Sequence, residues 1–179
     1  MLPSQAAAIS GALVGVLGTA CVSSILFYFT RKEAKWTATT GLYADFNSQD
    51  MSEARNKAVQ FLRTRLEKDY GSLDYEMHQL DEISKTTTEH LKVMRFYQRL
   101  FVLQSTNRLV DKALFELFAS VFGWWWGFSF EKQLCPTEWQ AARQLERLCE
   151  FFEAKAVSLG RSEDWVHWIA IGREIRESH

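Results

Sequence analysis

The sequence predicts an all-α protein: an N-terminal transmembrane helix followed by a cytosolic helical bundle of about five helices. Three observations carry that expectation. Residues 6–30, "AAAISGALVGVLGTACVSSILFYFT", contain no charge. After them, apolar residues recur at three- and four-residue intervals, with no sustained two-residue alternation and no hairpin turn between apolar runs. Pro3 and Pro136 are the only prolines, so long helices meet few breakers. On this reading, residues 1–36 are the anchor and its boundary, and residues 37–179 form one helical domain.

The uncharged stretch extends about 37 Å as a helix, enough to cross a hydrocarbon layer of about 30 Å with some tilt. A buried helix of a soluble domain is seldom this long. A cleaved signal peptide normally carries basic residues before a shorter apolar run, and none precedes this one. "LGTAC" has a faint likeness to a lipoprotein cleavage site at Cys21, but Gly18 stands where a leucine-like residue belongs. The expectation is a retained span. Arg31, Lys32 and Lys35 follow it directly, which places the N-terminus outside and the remaining chain in the cytoplasm. Phe27, Tyr28, Phe29 and Trp36 form an aromatic belt at that boundary. Ala7, Gly11, Gly15 and Gly18 share one face and would let a second copy of the helix approach closely.

The helices of the domain follow in order. "DMSEARNKAVQFLRTRLEKDYG" opens on a capping-box-like Asp50 to Glu53 and aligns Ala58, Leu62 and Leu66. "TTTEHLKVMRFYQRLFVLQS" is apolar except for a stripe of Lys92, Arg95 and Arg99, as expected of a central helix. A third helix begins near residue 110 and runs into the tryptophans. "CPTEWQAARQLERLCEFFEAKAVSLG" starts with Pro136, stops at Gly160, and spaces Trp139, Ala142, Leu145, Cys149 and Phe152 along one face. The last helix begins near Ser162 and carries Trp165, Trp168, Ile169 and Ile175.

Residues 117–130, "LFASVFGWWWGFSF", are the other uncharged run. Fourteen residues are few for a second span, although a membrane-surface or re-entrant segment is an alternative. The favoured reading is a buried helix end. Trp124, Trp125 and Trp126 point about 100° apart and cannot all enter one core, so at least one is expected to meet lipid or a neighbouring subunit. All three are therefore candidate oligomerisation residues.

Aromatic residues make up 14% of the chain, which suits a packed core, and the net charge of −1 disfavours general nucleic-acid binding. Cys21, Cys135 and Cys149 lack any metal-site or redox spacing. No Gly-rich phosphate loop or HExxH is present, and no cofactor or metal is expected. Glu138, Glu146, Glu150 and Glu153 beside Arg143 and Arg147 read as a solvated, ion-paired face. The one constellation with a chemistry is Arg-x5-His, which occurs twice: Arg161 with His167, and Arg173 with His179. This spacing resembles the Arg-x4-6-His signature of a large superfamily of helical ribonucleases, and that resemblance implies Arg161 and His167 as the candidate catalytic pair of a metal-independent ribonuclease acting on RNA. The ribonuclease is the alternative reading; the favoured one is chance spacing, with His167 packed on a helix flank.

The order of parts, a span followed by "ARNKAVQFL", "VMRFYQRLFVL", and "LVDKALFELF" leading into "WWW", resembles bacterial single-pass membrane proteins of a domain-of-unknown-function family. That resemblance implies the architecture and brings no catalytic residues. The span, the all-α domain and the Arg161–His167 spacing also resemble small membrane pore proteins that accompany RNA-guided RNA-targeting defence effectors. This second resemblance implies assembly into a pore and a role in antiphage defence. Ser162 stands where the ribonuclease pattern often has Asn, His or Asp, which weighs against nuclease activity more than against the architecture. The partners expected are the lipid bilayer, further copies of the chain, and a cytosolic protein, with RNA expected only for the ribonuclease.

Overall fold

Between Pro3 and Phe46 no residue forces the helix to stop: Pro3 sits in the first turn, where its missing N–H costs nothing, and the glycines occur singly. Helix α1 accordingly runs unbroken over Pro3–Phe46, forty-four residues or about 66 Å. The computed structural model describes the backbone of residues 3–67, 86–133 and 140–178, and the side chains of residues 21–64, 89–132 and 140–178. The side chains of Ala7, Gly11, Gly15 and Gly18 lie outside the described residues, as do Cys135, Pro136, Glu138, Trp139 and His179. Residue 36 marks no break in the helix. Among the described side chains of α1, the first buried in the domain is Thr39, followed by Leu42 and Phe46.

Among the described residues five further long helices follow: α2 (Gln49–Glu67), α3 (Thr86–Ser105), α4 (Asp111–Trp125), α5 (Gln140–Ser158) and α6 (Ser162–Glu177). The described residues contain no strand. Nor do they contain a helix long and apolar enough to cross a membrane; of the uncharged stretch, the side chains of residues 6–20 lie outside that search.

Helix ends follow local chemistry. The cap of α2 lies at Ser48, two residues before the expected Asp50, because the Ser48 hydroxyl accepts the Met51 N–H at 3.3 Å. At Gly160 (φ 68°), α5 ends with the Arg161 N–H on the Ala156 carbonyl and the Gly160 N–H on that of Val157. Helix α3 ends in the same way at a residue with a side chain. Asn107 takes φ 56°, the Arg108 N–H reaches the Leu103 carbonyl, and the Asn107 N–H reaches that of Gln104.

The core is aromatic and lies between α3, α4 and α5, with α2 packed on α3 and α6 on α4. Tyr97 meets Phe122 edge-on at 5.1 Å, and Phe122 in turn lies 5.3 Å from Phe152 and 6.4 Å from Trp165. Helix α3 is as central as its composition predicts, with Val93, Met94, Phe96, Tyr97 and Leu100 buried and Arg95 and Arg99 outside.

Candidate functional site

Two regions stand out. In the first, the upper part of α1, the side chains of residues 21–34 are exposed all round the helix. Val22, Ile25, Leu26, Phe27, Tyr28 and Phe29 keep 54–68% of their surface open. An ordinary surface helix buries an apolar stripe and exposes a polar one; this segment buries neither face.

Immediately below is a basic collar. Arg31 and Lys35 are one turn apart on the face that also carries Tyr28, and Lys32 flanks it. The loop after α3 folds against this face. Thr39 is fully buried; its hydroxyl donates to the Lys35 carbonyl at 2.8 Å and accepts the Val110 N–H at 3.0 Å. The Lys35 ammonium donates to the Asn107 side-chain carbonyl, and Arg108 joins Arg31 and Lys35 around one open notch. Sequence reasoning found Arg31, Lys32 and Lys35 but missed Thr106, Asn107 and Arg108. They come from a loop some seventy residues away and bear no local sign of their position.

The second region is the tryptophan run. Helix α4 passes at Trp126–Phe130 into a single π-helical stretch, in which the Glu131 N–H reaches back five residues to the Trp126 carbonyl. Phe122 and Trp125, at the end of α4, and Phe128, Ser129 and Phe130, in the wider turn, are all buried. Trp125 keeps only 1% of its surface and faces its own chain's core. Trp124, stacked on Phe128 at 4.7 Å, and Trp126, 6.2 Å from Phe122, are half-buried. Their outer edges are what the run offers a neighbour.

The flanking glycines admit α6. A methyl group on Gly127 would lie 2.1 Å from the Ile169 carbonyl oxygen, and one on Gly172 would lie 2.3 Å from that of Trp124. Two helix backbones are therefore almost in contact. Arg176, buried beside them, donates to the Gly127 carbonyl at 2.7 Å. Arg173 pairs with Glu131, and that hydrogen bond holds the Glu131 carboxyl below the usual carboxylate range. The spacing Gly123-x3-Gly127 was visible in the sequence as the small-residue motif already recognised in the span.

Arg161 and His167 are not brought together within one chain. Arg161 donates to Asp164 at 2.7 Å and to Glu116 of α4 at 2.8 Å, with its guanidinium 5.3 Å from the Phe115 ring centre. This arrangement clips the start of α6 to α4. His167 is exposed rather than packed on the helix flank, about 120° around the helix from Arg161.

Inside the core, His90 and Ser129 are buried and lie 3.2 Å apart through Nε2 and Oγ. The Tyr97 hydroxyl is buried without a hydrogen-bond partner among the described residues, and burial pushes its pKa far up. Burial likewise pushes the Cys149 thiol up to about 12, so it remains protonated at neutral pH. No group of three His, Cys, Asp or Glu among the described residues could hold a metal ion. The chemistry most available on the described surface is therefore the collar's: four cations and a tyrosine beneath exposed apolar side chains. No protein-family model, curated protein sequence or solved structure matches the chain.

Proposed function

We propose that the chain is a single-span membrane protein that holds a helical domain against the cytoplasmic face of the bilayer and self-associates through its span. The observation that carries this reading is the exposure of residues 22–29 on every side of α1, directly above the basic collar. In water this apolar surface would cost about 25 cal/mol per Å2; in a bilayer it lies within the hydrocarbon. The aromatic residues then sit at the interface, and the basic ones on the cytoplasmic side. Self-association rests on the small-residue face of Ala7, Gly11, Gly15 and Gly18, which would let two spans meet closely.

Two experiments test the parts separately. Protease added to intact bacterial spheroplasts should leave the helical domain whole, and added to inverted membrane vesicles should digest it; digestion in intact spheroplasts overturns the orientation. Light scattering of detergent-solubilised protein should give an oligomer that Gly15→Leu shifts towards monomer. A monomer for the unaltered chain at micromolar concentration overturns self-association.

A further inference from the structure

The collar does more than mark a membrane boundary. We infer that the notch between α1 and the loop of residues 106–110 is a binding site for the phosphodiester headgroup of an anionic phospholipid, with the acyl chains lying along the apolar part of α1. This inference rests on the membrane reading above.

Four features support it. First, the cations come from two distant segments, and the backbone holds them together. The αL turn at Asn107 aims the loop at α1, and the buried Thr39 hydroxyl and the Lys35 ammonium fasten it there. Arg108 is thereby set beside Arg31 and Lys35, so the positive charge is preorganised rather than gathered when a ligand arrives.

Second, the charge is available. Among the described residues the ion pairs include those of Lys92, Arg99, Arg161, Arg173 and Arg176; none engages Arg31, Lys32, Lys35 or Arg108. Between Arg31 and Lys35 the one carboxylate, Glu33, lies about 160° around the helix from both of them. Asp111, the nearest acid after the loop, is exposed at the start of α4.

Third, the size fits. Two adjoining open notches of about 310 and 440 Å3 share Arg31, Lys35 and Asn107. That is headgroup scale, and one side remains open for the glycerol backbone to leave toward the bilayer.

Fourth, the notch has the right neighbours. Tyr28 forms its upper wall, and Ile25 and Leu26 stand exposed one turn further up. An arginine pair can grip a phosphate in bidentate fashion, and the lysines add point charges. Arg108 belongs to the loop joining α3 to α4, so a bound lipid would fix the tilt of the whole domain on the membrane and not merely hold its first helix.

The test uses full-length protein in a neutral detergent, with dioleoyl phosphatidylglycerol and dioleoyl phosphatidylcholine supplied in equal amounts and retention read by native mass spectrometry. Preferential retention of the phosphatidylglycerol is expected. Arg108→Gln should weaken it about fivefold, the effect of one near-surface cation. Arg147→Gln, an equal loss of charge on the exposed face of α5, should leave it unchanged. Unaltered thermal unfolding of Arg108→Gln, whose side chain is exposed, shows that the fold is intact. Equal retention of both lipids overturns the inference, as does an equal response to the two variants. Inorganic phosphate at the lipid's concentration should displace nothing; displacement overturns the assignment to a lipid in favour of a free phosphate. A protein that stays in alkali-washed membranes yet shows no lipid preference refutes the notch alone, whereas release from those membranes refutes the span.

Discussion

The upper part of α1 and the junction of α4 with α6 use the same kinds of residue to opposite ends. Both are rich in aromatic residues, and α1, like the junction, carries glycine inside a helix. At the junction the rings close on one another, and Gly127 and Gly172 let two backbones nearly touch. On α1 the rings of Phe27, Tyr28, Phe29 and Trp36 stay more than half exposed, with Tyr28 and Phe29 edge-on to each other, and lower on the same helix a methyl group added to Gly41 would meet nothing within 4 Å. Composition alone therefore does not say which apolar run is core. The difference lies in what the remaining chain brings opposite: α6 lies across the tryptophans, and no described residue covers α1 above the collar.

The largest effect should come from the core side of this contrast. Trp125→Ala removes a side chain with 1% exposure and is expected to cost about 3–5 kcal/mol, lowering the thermal midpoint by about 10 °C. Trp126→Ala, at a half-buried ring, should lower it clearly less in the same circular-dichroism melt. Equal losses would mean that the π turn does not separate the two rings.

The glycines sharpen the comparison next. Gly172→Ala forces a methyl group against the Trp124 carbonyl and is expected to destabilise by about 3 kcal/mol, because backbone cannot move aside as a flexible side chain would. Gly41→Ala meets open space in a helix interior and should stabilise by about 0.5–1 kcal/mol. Urea denaturation of both variants checks the opposite signs.

A smaller effect concerns acid. Glu131 has its pKa depressed by its hydrogen bond to Arg173, so its contribution is present above the unfolded carboxylate pKa of about 4.3 and is lost as pH falls through the lower folded value. Glu131→Gln should be the less stable protein at pH 7, and its urea midpoint should converge with that of the unaltered chain below about pH 4. A gap that persists in acid would assign the role to packing instead. The smallest effect belongs to α1: Leu26→Ser, at a 61% exposed site, should leave the unfolding midpoint of the domain in detergent unchanged within about 0.5 kcal/mol.

Much of the fold was legible because helical periodicity is local. The buried faces of α3 and α5, the stop at Gly160 and the core position of the 117–130 run can all be read from spacing and turn chemistry. The π turn was not legible, since it arises from how Phe122 to Phe130 pack together against α6 and has no sequence signature of its own. Asn107 was missed as a helix stop because asparagine, unlike Gly160, must be held at positive φ by its surroundings. The collar was half legible. Its α1 cations, Arg31, Lys32 and Lys35, stand together in the sequence, whereas Arg108 depends on a loop docking that only the three-dimensional arrangement reveals.

The central claim is that α1 holds the chain in a bilayer, and alkaline carbonate extraction of membranes from cells expressing the full-length protein tests it most directly. Carbonate strips proteins held at the surface by charge and leaves those whose helices cross the hydrocarbon. The protein should remain in the membrane pellet at pH 11, and a chain beginning at Arg31 should appear in the supernatant. Recovery of the full-length protein in the supernatant would contradict the account.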